Sequence, residues 1–70
     1  MSKITDTALL KARIVLKGYT MVAVARALGI SYTAFRQKIY NVRQFKVTEI
    51  QMLCKMLEIE DKNKYFFAGM

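Results

Sequence analysis

Apolar residues recur along this chain at helical spacing, and capping residues and glycines cut the recurrence into short pieces. In the first piece Leu10 and Ile14 lie one turn apart. Thr5 is placed to cap its start with Asp6 at the positive end, and Gly18 suits the left-handed closing position, so a helix is expected over about Asp6 to Lys17. Thr20 is the next cap, with Tyr19 before it set to pack on Val24 as a hydrophobic staple. Met21, Val24, Ala25 and Leu28 then form an apolar stripe that stops at Gly29. Ile30 and a new cap, Ser31, follow, so about three residues separate the second helix from a third over about Tyr32 to Tyr40, a connection short enough to make the two cross steeply.

Asn41 suits the end of the third helix, because asparagine tolerates the left-handed conformation. Val42 to Val47 form a basic loop carrying Arg43 and Lys46, with Phe45 as its anchor to the core. Thr48 with Gln51 reads as a capping box ahead of Ile50, Leu53, Cys54 and Leu57 on one helical face, and Asp61 can cap one last turn. Tyr65, Phe66 and Phe67 gather beyond it; they either close this chain's own core or form an exposed patch that pairs with a second copy. The expectation is an all-α bundle of four to five short helices, a single domain over residues 1–70.

Charge narrows the partners. Twelve Lys and Arg against five Asp and Glu give a net charge of +7, which makes polyanions the natural ligands. No acid occurs from Thr7 through Thr48, where Lys11, Arg13, Lys17, Arg26, Arg36, Lys38, Arg43 and Lys46 all fall. A uniformly cationic middle reads as a phosphate-facing surface, with a merely solvated basic face as the plain alternative. One cysteine excludes an internal disulfide and points to a reducing cytoplasm. With no apolar run long enough to span a bilayer and no secretory signal, the chain is expected to stay off the membrane and inside the cell. No histidine, phosphate-binding glycine loop or cluster of acids is present, so an enzyme, a cofactor, a metal site and a small-molecule substrate are not expected.

The outward face of the third helix carries the functional signal. At about 100° per residue, Thr33, Arg36, Gln37 and Tyr40 share one stripe with Tyr32 on its shoulder, and all five can hydrogen-bond. Within residues 20–40, Ala25 is small where two helices approach, Gly29 sits at the turn, and Val24, Leu28, Ile30 and Phe35 supply apolar contacts. That is the spacing of a helix-turn-helix.

The run Leu28-Gly-Ile-Ser-Tyr-Thr-Ala-Phe-Arg-Gln-Lys-Ile-Tyr-Asn41, with Phe45 and Glu49-Ile50 after it, resembles the Cro and phage-repressor (XRE-type) helix-turn-helix family over nearly the whole chain. The resemblance implies a lambda-repressor-like DNA-binding domain, a transcriptional regulator of phage or prophage origin that acts in the bacterial host cytoplasm, at the nucleoid, as a homodimer on a near-palindromic operator. Two positions depart from the family pattern: Met21 stands where many members place a phosphate-touching glutamine, and Tyr40-Asn41 replaces a common glycine-containing turn.

With the third helix in a major groove, Arg36 can grip guanine and Gln37 adenine through paired hydrogen bonds. Tyr32 and Thr33 are candidates for thymine methyls or nearby phosphates, Tyr40 shares their stripe, and Ser31, Arg43 and Lys46 are placed for the sugar-phosphate backbone. Lys38 is as well placed to pair with Glu49 as to touch DNA, and Lys11, Arg13, Lys17 and Arg26 are expected to be solvated charges. Cys54 reads as a small core residue. The competing function is a scaffold that binds another regulator, as an antirepressor or recombination accessory factor. The dependence of duplex binding on Arg36 and Gln37 separates the two.

Overall fold

The computed structural model describes residues 4–66. Five helices follow one another, with no strand among the described residues: α1 Thr7–Leu16, α2 Met21–Leu28, α3 Tyr32–Ile39, α4 Val47–Leu57 and α5 Lys62–Phe66. The all-α bundle expected from the apolar periodicity is the observed fold class. None of these helices is long and apolar enough to cross a membrane.

Every helix contributes to one buried cluster: Leu10 and Ile14 from α1, Val24 and Ala25 from α2, Phe35 and Ile39 from α3, Ile50, Leu53 and Leu57 from α4, and Phe66 from α5, joined by Ile59. Helix α2 packs on α3 and α4, and α5 closes over α1 and α4. The Phe45 ring meets Phe35 edge-on at 6.0 Å and Phe66 at 5.8 Å, so three aromatics join α3, the following loop and α5. Phe66 is 2% exposed, which assigns it to this chain's own core and removes it from any pairing surface. Tyr65 packs partly buried against the same core, and Phe67 lies outside the described residues.

The first four helices end alike. Four described residues have positive φ, namely Gly18, Gly29, Asn41 and Glu58, one after each helix. Behind them the chain doubles back in the same pattern: Tyr19 N–H donates to Ile14 O, Ile30 to Ala25 O, Val42 to Gln37 O and Ile59 to Cys54 O, all within 3.1 Å. At Gly29 an added Cβ would meet nothing within 4 Å, so glycine there answers the φ of +74° rather than crowding. Glu58 has no such freedom, and its left-handed backbone costs about 1 kcal/mol. Arg13 offsets this, donating from Nε to Leu57 O and from Nη2 to Glu58 O, both at 2.8 Å, while Lys17 pairs with the Glu58 carboxylate at 2.6 Å.

Two helix starts differ from expectation. Asp6, not Thr5, caps α1 by accepting from Leu9 N–H, because Thr5 is engaged elsewhere: its N–H donates to Asn41 Oδ1 at 2.8 Å and its carbonyl accepts from Asn41 Nδ2 at 2.9 Å. Helix α4 begins at Val47, two residues before the expected box of Thr48 and Gln51 takes effect; Lys46 is the N-cap residue and its N–H donates to Glu49 Oε1 at 2.8 Å. Thr48 is therefore inside the first turn.

Glu49 also receives Lys38, whose Nζ lies 2.7 Å from both carboxylate oxygens, and both side chains are more than nine-tenths buried. Burial pushes the Glu49 carboxyl up, but the Lys38 ammonium and the Lys46 amide outweigh it and hold it below the usual carboxylate range. Stabilisation from this pair is therefore complete at neutral pH and is lost as pH falls through the lowered Glu49 value. Glu49→Gln leaves the Lys38 charge buried alone and should destabilise by roughly 3 kcal/mol at neutral pH in urea unfolding, the gap narrowing in acid. Lys38→Met together with Glu49→Gln should recover most of that loss.

Candidate nucleic-acid interface

The eight residues of α3 divide by face. Phe35 and Ile39 are fully buried and Lys38 lies beside them over α4, while Tyr32, Thr33 and Arg36 are exposed and Gln37 is half-buried. The segregation follows from the helical period, since 35 and 39 lie one turn apart on the side opposite 33, 36, 37 and 40. Ser31 caps the helix by accepting from Ala34 N–H at 3.0 Å, and Tyr40 closes it.

Tyr32, Thr33, Arg36, Gln37 and Tyr40, joined by Val42, line one open depression along the outer side of α3. Five of the eight expected site residues are thus brought together. Ser31, Arg43 and Lys46 are exposed but do not line it; Ser31 sits at the start of the helix, and Arg43 and Lys46 lie on the loop past its end. The Arg43 amide donates back to Gln37 O at 3.1 Å, which holds the loop against the helix. Val42, 71% exposed, is a lining residue that the reading of polar side chains passed over.

The cations between Thr7 and Thr48 sort into two groups. Arg13 and Lys17 were expected to be solvated, but they brace the end of α4 through Leu57 and Glu58, and Lys38 is buried against Glu49. Lys11, Arg26, Arg36, Arg43 and Lys46 remain exposed. Lys11 also differs from expectation: its Nζ donates to the Tyr40 hydroxyl at 2.9 Å and stands 5.4 Å from the ring centroid, which brings α1 to the end of α3. The two residues are 29 apart, so no local pattern joins them.

Arg36 stands over two rings, its guanidinium carbon 5.9 Å from the Tyr32 centroid and 5.5 Å from that of Tyr40. The hydrogen bond and charge of Lys11 lower the Tyr40 phenol below its ordinary range against the opposing effect of desolvation, with smaller lowering contributions from Arg36. Away from this face, burial pushes the Cys54 thiol up, opposed by Lys62, and Cys54 packs partly buried against the core as a small apolar residue.

Met21 is half-buried and packs on the core. No protein-family model, no curated protein and no solved structure matches this chain. In an absorbance titration Tyr40 should ionise below the ordinary phenol range, and Lys11→Met should shift it upward. An unchanged titration would remove Lys11 from this face.

Proposed function

We propose that this chain is a sequence-specific double-stranded DNA-binding transcriptional regulator, a Cro-like repressor of phage or prophage origin, which acts without catalysis in the bacterial cytoplasm. One observation carries the reading: a hydrogen-bonding row of Thr33, Arg36, Gln37 and Tyr40, exposed except for the half-buried Gln37, on the outer side of a short helix whose inner side is fully anchored. A row of that kind suits a major groove, which admits one helix and presents a distinct donor and acceptor pattern for each base pair.

In this reading α2 and α3 are the helix-turn-helix and α3 is the recognition helix. Arg36 and Gln37 read base edges; Tyr32 and Thr33 reach thymine methyls or adjoining phosphates. Arg43, Lys46 and the start of α3 at Ser31 take the sugar-phosphate backbone, where contact sets register without reading sequence. A homodimer would set two such helices roughly 34–36 Å apart, one turn of DNA, on a near-palindrome.

Selection from a random duplex library at near-physiological salt should enrich a near-palindromic site. Arg36→Ala should cost roughly 1–3 kcal/mol and relax one base position, whereas Lys46→Ala should weaken all duplexes alike and flatten the salt dependence. If nothing is enriched and both variants behave as wild type, base readout is absent and the scaffold role toward another regulator takes its place.

A further inference from the structure

The outer face of α3 holds a stack as well as a row of hydrogen-bonding groups. Tyr32, Arg36 and Tyr40 are four residues apart in turn, so they follow one another up the same side of the helix. The guanidinium lies over both rings, at 5.9 and 5.5 Å from their centroids, within the range at which a ring face attracts a cation. The far ring is itself fixed, because the Tyr40 hydroxyl accepts from Lys11 on α1 at 2.9 Å. Neither ion pair among the described residues involves Arg36, so the two rings are what restrain it.

A free arginine side chain samples many rotamers and loses that freedom when it grips a base. Rings on both sides restrict its swing before any ligand arrives, and apart from the Tyr40 hydroxyl no protein acceptor engages its N–H groups among the described residues. Both tyrosines are nearly half exposed, at 43% and 44%, so neither is needed by the core. Two cations sharing the Tyr40 ring also concentrate positive potential at the end of α3, a repulsion that a nearby phosphate relieves.

We propose that Tyr32 and Tyr40 are positioning residues that bracket Arg36 for guanine in duplex DNA, with Lys11 fixing the second ring from α1. The proposal rests on the DNA-binding reading and adds the device that sets its selectivity. The bracket acts on base discrimination, whereas general duplex affinity comes from the cations around it.

The test compares wild type, Tyr32→Leu/Tyr40→Leu and Tyr32→Phe/Tyr40→Phe on the selected duplex and on its versions with each other base at the Arg36 position. Relaxation of the Arg36 Nε–H group by NMR is followed in the free proteins. The leucine pair should lose about 5- to 30-fold in preference for guanine over the other bases at that position, as two exposed cation–ring contacts allow, beyond any uniform loss of affinity from a missing Tyr32 contact to the backbone. Arg36 should become mobile in that variant, and the phenylalanine pair, which keeps both rings, should retain most of the preference and the order.

Equal discrimination and equal Arg36 order in all three proteins would overturn the bracket. So would loss of discrimination in the phenylalanine pair with Arg36 still ordered, which would make the hydroxyls direct readers, whereas loss of both together would trace the order of the bracket to the Lys11 hydrogen bond at Tyr40. Tighter binding to single-stranded oligonucleotide than to duplex would show the rings stacking bases instead, and would also overturn it. A wild type that prefers no base, with Arg36 still ordered by the rings, would remove the DNA reading and the selectivity role with it.

Discussion

The contact between Lys38 and Glu49 fixes the arrangement on which the rest depends. A helix of eight residues is too short to persist alone, so α3 exists because other elements hold it. Phe35 and Ile39 supply most of the attraction, since each fully buried apolar side chain stabilises by about 2–3 kcal/mol, but apolar contact has little directional preference. The buried ammonium and carboxylate supply direction. Glu49 takes Lys38 on both oxygens and the Lys46 amide on one of them, so one side chain attaches α3 to α4, starts α4, and ties the far end of the basic loop. The loop can then hold Arg43 and Lys46 at the end of α3 although neither is bonded to it through a side chain.

The helix endings show why some of this was legible in the sequence and some was not. Gly18, Gly29 and Asn41 are residue types that enter the left-handed region readily, and each was placed correctly from local pattern. Glu58 does the same work without the same freedom, because Arg13 and Lys17 reach it from α1. A contact across 44 residues leaves no trace in the spacing around residue 58. The misplaced starts have a related cause. Thr5 and Asp6 are both good caps, as Thr48 is, and long-range contacts decide among neighbours: Asn41 engages Thr5, and Glu49 bonds Lys46.

The candidate site divides along the same line. The row on α3 follows from the helical period alone and was readable, while spacing left Lys38 between Glu49 and an outside partner and the fold decides for Glu49. The sorting of the other cations was not readable. Arg13 and Lys17 looked like surface charge and are structural, while Lys11, with the same local appearance, stands beside the row. Charge totals count the cations, but only the fold says which of them are tied to other parts of the chain and which remain exposed.

The two ends of α3 are treated unequally, and the inequality has an electrostatic consequence. Its last carbonyls are all occupied: Arg36 O by Tyr40, Gln37 O by Val42 and Arg43, Lys38 O by Asn41, and Ile39 O by the Thr7 hydroxyl at 2.6 Å. At the other end Ser31 accepts from Ala34 through its side chain and from Phe35 through its carbonyl, and the exposed amides of Tyr32 and Thr33 have no protein acceptor among the described residues. The negative end of the helix is thus covered by donors and the positive end is open. An anion approaching α3 meets free amides at its start, Arg36 along its face and Lys11 beside its end, with no acidic side chain lining the depression between them. An interior helix would have both ends satisfied. This one is completed at its end by the fold and left open at its start, as α2 is beyond its Thr20 cap, and in the proposed reading that open start is where a phosphate would supply acceptors.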